Sequence, residues 1–343
     1  MAPIRVMLVD DSPLFVAAMK SALEKEANIQ VAGTAGNGQD ALQQVPSVRP
    51  DVIICDVQMP RMSGIEFVKE LLKTRKIPVV VISGTPGVTL AALAAGAVDF
   101  IPKPEAGEAR DAFFKRMITT IRVAASANVG AKTALRQNAA PHHAPSVFTS
   151  APADVVVAIG ASTGGTDAIA AVIRNFPASF PGVLITQHMP AGFTAMYAER
   201  LDRECKMQVR EVKDGDRLQK GLILLAAGDK HLRLRKDQKG YYASSRPGMK
   251  VNGHMPSVDV LFESVAEVAG ARAAGVILTG MGGDGAEGLL KMRKAGAYTI
   301  GQDKESSVVY GMPMMAYNKG AVTKQLPLED IANDLISHMN KMR

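Results

Sequence analysis

Cysteine is nearly absent. Cys55 and Cys205 stand far apart with no metal-type spacing, which excludes a disulfide framework or a zinc site and fits a reducing cytoplasm. Long apolar runs are lacking too. The most apolar region, Ile77 to Ile101, is broken by Pro78, Gly84, Pro86, Gly87 and Gly96, and the N-terminus runs straight into "IRVMLVDD"; neither reads as a membrane span or a signal peptide. Aromatic residues make up only 5%, and the formal charge of +7 is not gathered into a basic helix or an aromatic-interleaved patch, so nucleic acid is not the expected partner. What remains is an ordinary soluble composition, 47% apolar and 21% charged over 343 residues, long enough for two domains with separate cores.

Between roughly Ala124 and Ala153 the chain turns rich in Ala, Ser and Pro and loses its periodicity. This predicts a linker over 123–153. The His142–His143 pair within it lacks further ligands nearby and reads as solvated rather than metal-binding. Before the linker, strand-like runs ("RVMLVD", "IQVAGTA", "DVIICDV", "VVVIS", "VDFIPK") alternate with helical patterns, including one from about Ser12 to Glu26 and one near Gly38 to Val45. Such alternation predicts a parallel sheet with helices on both faces, whose function gathers at the carboxyl ends of the strands. There stand Asp10, Asp11, Asp56, Ser83 and Lys103. Three carboxylates at one edge repel unless a cation sits among them, and hard oxygen ligands suit Mg²⁺. The bland alternative is that each acid caps the next helix.

"DDS", "DVQMPRMSG" and "KP" resemble the receiver domain of two-component response regulators over residues 1–122. The resemblance implies a flavodoxin-like fold in which Asp56 accepts a phosphoryl group from a histidine kinase. It also implies Mg²⁺ ligation by Asp11, Asp56 and the backbone carbonyl of Gln58, with Asp10 supporting through water. Ser83 and Lys103 would engage the phosphoryl oxygens, and Phe100 would be the switching aromatic. Ser63 departs from the acidic residue often found before Gly64.

Past the linker the alternation resumes with "DVVVAIG", a helix near Asp167 to Asn175, "GVLITQ", a helix near Phe193 to Asp202, and "AGVILTG" before a helix from about Ala286 to Ala295. A second, doubly wound α/β domain over 154–343 is expected. The middle stretch "GLILLAAGDKHLRLRKDQKGYYAS" reads as a hairpin insert. "GASTGGT" lacks the lysine of a phosphate-binding P-loop and the spacing of a dinucleotide fingerprint. It does match G-x-S-x-G at a strand-to-helix turn, a mount for a nucleophile at Ser162, with a plain helix N-cap as the competing reading. A base and an orienting acid are sought at equivalent strand ends. His188 follows "GVLITQ" and Asp284 follows "GVILTGMGG". His231 and His254 are rivals for the base, standing farther from strand ends, and His338 belongs to a terminal helix.

"GASTGG", "QHMP", "GDKHL", "NGHMPSVD", "TGMGGDG" and "GAYTIGQDKESSVVYGMP" resemble the catalytic domain of the chemotaxis protein-glutamate methylesterase family, CheB. The resemblance implies Ser162 as nucleophile, His188 as general base and Asp284 as its orienting partner. Backbone N–H groups of Thr163 and Met281 would form the oxyanion hole, with Gly282, Gly283 and Gly285 letting the backbone pass close to substrate. No cofactor is expected in this domain. The implied substrate is a γ-glutamyl methyl ester on a chemoreceptor, with receptor glutamines as a second target, and inhibition by the receiver is relieved on phosphorylation. A DNA-binding output domain and a non-catalytic adaptor are the rival functions.

Overall fold

In the computed structural model the described residues are 2–104, 109–132, 147–152 and 154–342; His142 and His143 lie outside them. The chain divides into two compact units, Met1–Thr133 and Ala134–Arg343.

The first unit runs β1 (Ile4–Val9), α1 (Pro13–Leu23), β2 (Ile29–Ala35), α2 (Gly38–Val48), β3 (Val52–Asp56), α3 (Gly64–Thr74), β4 (Val79–Ser83), α4 (Pro86–Ala95), β5 (Asp99–Pro102) and α5 (Arg110–Ala124). Its strands lie in the order β2-β1-β3-β4-β5, all parallel, the flavodoxin-like order. β3 and β4 are buried along their whole length, as unbroken apolar strands covered on both faces must be. On one face Leu8, Ile54 and Ile82 pack with Phe113, Met117 and Ile121 of α5. Helix α1 starts at Pro13 rather than Ser12 because Ser12 caps it, its Oγ accepting from the Phe15 N–H, and it ends at Leu23, before the expected Glu26. Helix α2 outruns the expected Val45 by passing through Pro46 to Val48; so near the C-terminus the ring removes one carbonyl's partner rather than breaking the helix. Ser63 supplies a capping box with Glu66 at the start of α3, which is what the residue does in place of an acid. Part of the expected linker is helical: α5 continues to Ala124, and residues 129–132 are helical with Val129 and Ala131 buried.

The second unit runs β6 (Val156–Ala161), α6 (Gly165–Ile173), β7 (Gly182–Gln187), α7 (Phe193–Glu204), β8 (Gln208–Glu211), β9 (Leu222–Leu225), β10 (His231–Asp237), β11 (Gly240–Arg246), α8 (Val258–Val268), β12 (Ala273–Ile277), α9 (Ala286–Lys294), β13 (Tyr298–Gln302), α10 (Met312–Asn318), β14 (Lys324–Leu326) and α11 (Leu328–Met339). Seven strands form a parallel sheet in the order β14-β13-β12-β6-β7-β9-β8. The expectation that "GLILL" belongs to a hairpin insert is corrected: it is β9, buried between β7 and β8, and only β10 and β11 form the antiparallel ribbon. Leu232, Leu234 and Ala243 of that ribbon join Phe262 and Val265 of α8 and Leu289 and Met292 of α9 in one core cluster. Truncating a ring as buried as Phe262 to Ala would cost about 3–5 kcal/mol.

The direction of chain growth reverses at β6. Later strands are added on one side through β7 and on the other through β12. A crevice opens at the carboxyl ends of strands at such a switch point.

Candidate active site

Ser162 stands one residue past β6 and His188 one residue past β7. Ala161 is in register with Gln187, and the His188 N–H donates to the Ala161 carbonyl at 3.1 Å. On the other side the Ser162 N–H donates to the Thr279 carbonyl at 3.0 Å. Ser162 is therefore clamped between the two neighbouring strand ends. The N-cap of α6 is Gly164, at φ 77°, without a side-chain capping bond; the reading of Ser162 as a plain cap is excluded. A side chain at Gly164 would be strained at that φ and would also meet Val308 at 2.6 Å. Helix α6 begins at Gly165, two residues before the expected start, and directs its positive end at the serine turn.

Asp284 lies in the loop before α9, its side chain 1% exposed. Its Oδ2 accepts from His188 Nε2 at 2.8 Å and the Val258 N–H at 2.7 Å, and its Oδ1 from Ser257 Oγ at 2.8 Å, Asn252 Nδ2 at 2.9 Å and the Asp259 N–H at 3.3 Å. Burial alone would raise its pKa, but the bond from His188 and those from Asn252 and the Val258 N–H outweigh it and hold the carboxyl well below the usual range. An ionised Asp284 needs a donor, so Nε2 of His188 carries the hydrogen. The other ring nitrogen, Nδ1, is buried and has no hydrogen-bond partner among the described residues, and it is thereby left with a free lone pair. Ser162 Oγ makes no hydrogen bond to it in this structure.

The rival histidines have other tasks. His231 is buried, with Nε2 donating to the Met249 carbonyl at 2.8 Å and Nδ1 accepting from the Ser257 N–H at 3.3 Å; both nitrogens are used. His254 stacks flat on His188. His338 of α11 stacks on Tyr298 of β13, ring centroids 4.0 Å apart.

Of the expected oxyanion donors, Thr163 is buried and its carbonyl accepts from Thr279 Oγ1 at 3.0 Å. The Gly280 carbonyl accepts from the N–H groups of Gly311 and Met312 at 3.1 and 2.8 Å. Because the peptide is trans, this turns the Met281 N–H the opposite way, away from α10. Gly280 packs against Ser162: an added Cβ would lie 2.8 Å from Ser162 Cβ and would overlap Met312 Sδ. Asn252, Ser257 and Asp259, which complete the shell of Asp284, were not singled out by sequence reasoning. All three stand in the family-like motif "NGHMPSVD", and its Asn-Gly pair is a physical signal, since such pairs mark turns with positive φ; Asn252 has φ 52°.

In the first unit, ligand oxygens of Asp10, Asp11 and Asp56 lie within 4.8 Å of one another. Lys103 Nζ donates to Asp56 Oδ2 at 2.8 Å, and the Val57 N–H to Oδ1 at 2.7 Å. None of the three acids caps a helix, for Ser12 and Ser63 do. Asp10 is pushed up by burial and by the nearby Asp56 and Asp11, against a bond from the Ser12 N–H, and its Oδ2 is buried without a partner among the described residues. An orphaned oxygen among crowded carboxylates fits a hard divalent cation. Ser83 is buried beside this edge, Gln58 is exposed and Phe100 half-buried. Gly64 is packed so closely behind the loop that a Cβ would lie 2.9 Å from Val57 Cα and overlap the Asp56 carbonyl.

Fold and site together define a doubly wound α/β unit with Ser162, His188 and Asp284 at the carboxyl edge of its sheet, beside the topological switch point, and a flavodoxin-like unit with an acidic pocket. The chain belongs to the CheB methylesterase family: that family model matches residues 157–335, and the model of the response regulator receiver domain matches residues 6–112. It is 46% identical to a protein-glutamate methylesterase/protein-glutamine glutaminase of Syntrophomonas wolfei over 99% of this chain and 98% of that protein. A Salmonella typhimurium protein of the same name is 42% identical, covering 99% and 98%. The crystal structure of the Thermotoga maritima CheB methylesterase catalytic domain superposes with a TM-score of 0.53 at 36% identity, over 55% of this chain and all of that one.

Proposed function

We propose that the chain is a phosphorylation-activated protein-glutamate methylesterase that hydrolyses glutamate methyl esters on chemoreceptors and deamidates receptor glutamines. The observation that carries this reading is the bond from His188 Nε2–H to Asp284, which leaves Nδ1 buried and unpartnered on the strand end beside Ser162. Ser162 Oγ attacks the ester carbonyl as its proton passes to Nδ1. Asp284 holds the tautomer and steadies the imidazolium that forms. The Thr163 and Met281 N–H groups receive the oxyanion, each donor being worth about 3 kcal/mol in acyl transfer. The imidazolium then protonates the leaving methoxide, methanol departs, and water activated by His188 releases the glutamate. With a glutamine the leaving group is ammonia and the rest is unchanged.

In the receiver unit Asp56 is the phosphoacceptor and a histidine kinase the donor. Asp11, Asp56 and the Gln58 carbonyl would hold Mg²⁺, with Asp10 supporting it through water, and the ion when bound supplies positive charge toward the phosphoryl oxygens. Lys103 and Ser83 take the remaining oxygens, and the half-buried Phe100 repacks. No helix among the described residues is long and apolar enough to cross a membrane; with reduced thiols and a kinase donor, the place of action is the cytoplasm. The test is methanol release from a methylated receptor cytoplasmic fragment, with and without a small-molecule phosphodonor and Mg²⁺. Absence of methanol in both conditions would sink the reading.

A further inference from the structure

The β10–β11 ribbon carries a concentration of positive charge that the hydrolytic site does not use. His231 pairs across it with Arg246, Arg233 with Ser244, and Arg235 with Tyr242. Side chains alternate along a strand, so these six share one face, while Leu232, Leu234 and Ala243 are buried on the other. Pro247 to Val251 folds back over the arginine face, enclosing a groove of about 470 Å³ lined by Arg233, Arg235, Arg246, Tyr242 and Met249. The bond from buried His231 to the Met249 carbonyl ties the segment down. Arg246 is answered by Asp214 at 3.2 Å. Arg233 and Arg235 have no carboxylate partner among the described residues, and Met249 is 88% exposed at the groove. Two neighbouring cations without a counter-ion repel one another, so the fold gains nothing from placing them together.

The groove wall continues directly into the hydrolytic site. Val251 and His254 exchange backbone hydrogen bonds at 3.0 and 2.9 Å, enclosing the turn from which Asn252 grips Asp284, and His254 lies on His188. We propose that this groove is a docking subsite for a carboxylate-rich segment of the protein substrate, with unesterified glutamates beside the scissile ester held by Arg233 and Arg235. The inference rests on the methylesterase reading, which makes the product itself a glutamate on a protein surface. Arginine forks match carboxylates in pairs of bonds. Nucleic acid is disfavoured because Tyr242 is the single Phe, Tyr or Trp in the lining, and the one imidazole there, His231, is buried and hydrogen-bonded at both nitrogens. The chain's own residues 133–146 contain no acidic side chain and lack the complementary charge.

The full-length chain, Arg233→Ala/Arg235→Ala and Arg233→Glu/Arg235→Glu are compared in two assays. The first titrates a labelled, glutamate-rich helical peptide of about 20 residues, with an oligonucleotide as competitor. The expected result is Kd weakened about tenfold or more in both variants, and a flatter dependence on salt than in the wild type. Equal Kd in all three proteins overturns the groove, as does an oligonucleotide that binds it more tightly than the peptide. The second assay follows a blocked γ-glutamyl methyl ester and a methylated receptor fragment. Small-ester turnover should stay within about twofold, which also checks the fold, while KM for the receptor fragment rises about tenfold at unchanged kcat. An unchanged KM overturns the subsite. A wild-type chain that binds the peptide but hydrolyses neither ester overturns the methylesterase reading and with it the substrate role of the groove, while the binding assay still reports on its affinity for carboxylates.

Discussion

The imidazole of His254 lies flat against that of His188, ring centroids 3.7 Å apart and planes within 7°. Two charged rings at that distance would repel. Burial, and next the neighbouring His188, push His254 down to about 4, so near neutral pH it is an uncharged plate against the ring proposed to accept a proton. The unfolded chain protonates this residue near 6.5, before the folded one does. Stability fully present above that pH is therefore lost as pH falls toward about 4. Denaturant midpoints should drop over this window more steeply in the wild type than in His254→Phe, which keeps a stacked ring without the titration. Equal slopes would remove His254 as the source.

Ser162→Ala should abolish ester hydrolysis, by roughly 10⁴–10⁶-fold in kcat, with unchanged thermal stability and unchanged phosphorylation of Asp56. His188→Ala should be nearly as damaging, and His231→Ala or His254→Ala less so. If His254→Ala alone matched Ser162→Ala, the base would have to be reassigned.

Asp284→Asn tests the orienting acid. An amide offers one accepting oxygen where the carboxylate now accepts five hydrogen bonds through two. Turnover should fall about 10⁴-fold through the wrong tautomer, and folding stability should fall by about 3–5 kcal/mol because donors are left buried and unmet. Since the folded carboxyl titrates below its unfolded value of 3.8, the wild-type advantage should hold at neutral pH and fade only as pH falls below about 4. Near-normal kcat at pH 7 would refute the assignment.

Gly280→Ala changes no charge and no catalytic group. The new methyl group must push against Ser162 Cβ, 2.8 Å away, and against Met312. A misplacement near 1 Å costs about 10²-fold, so kcat should drop by that order while the receiver unit still takes up phosphate. Full activity would mean that Met312 alone yields.

Asp56→Asn should keep basal hydrolysis and lose the response to a phosphodonor with Mg²⁺. Lys103→Ala should blunt the same response, because Lys103 Nζ touches Asp56 Oδ2 at 2.8 Å. A phosphodonor response surviving in Asp56→Asn would place the acceptor elsewhere.

The strand-end placement of Ser162 and His188 was legible in the sequence because each follows a buried parallel strand by one residue, and parallel strands put such positions on one edge; Asp284, seven residues past β12, reaches that edge through its bond to His188. The acidic pocket was legible for the same reason. Asn252, Ser257 and Asp259 were not, because they come from a long connection whose path depends on what His231 and Asp284 hold in place. β9 was misread because "LILL" runs into the ribbon without a break that composition alone could show. The helical turn at 129–132 hid inside an alanine-rich stretch, a composition that suits a linker and a helix equally.

β6 is the middle strand of seven, so the serine it carries sits as far from either open edge of the sheet as the fold allows. Fraying costs least at edges and termini. Opening of β14 or β8 would leave both flanks of Ser162 paired, and its amide, bonded to the Thr279 carbonyl, should exchange with solvent only when the whole unit opens. Thermal inactivation would then report global unfolding of the hydrolase unit rather than local loosening around Ser162.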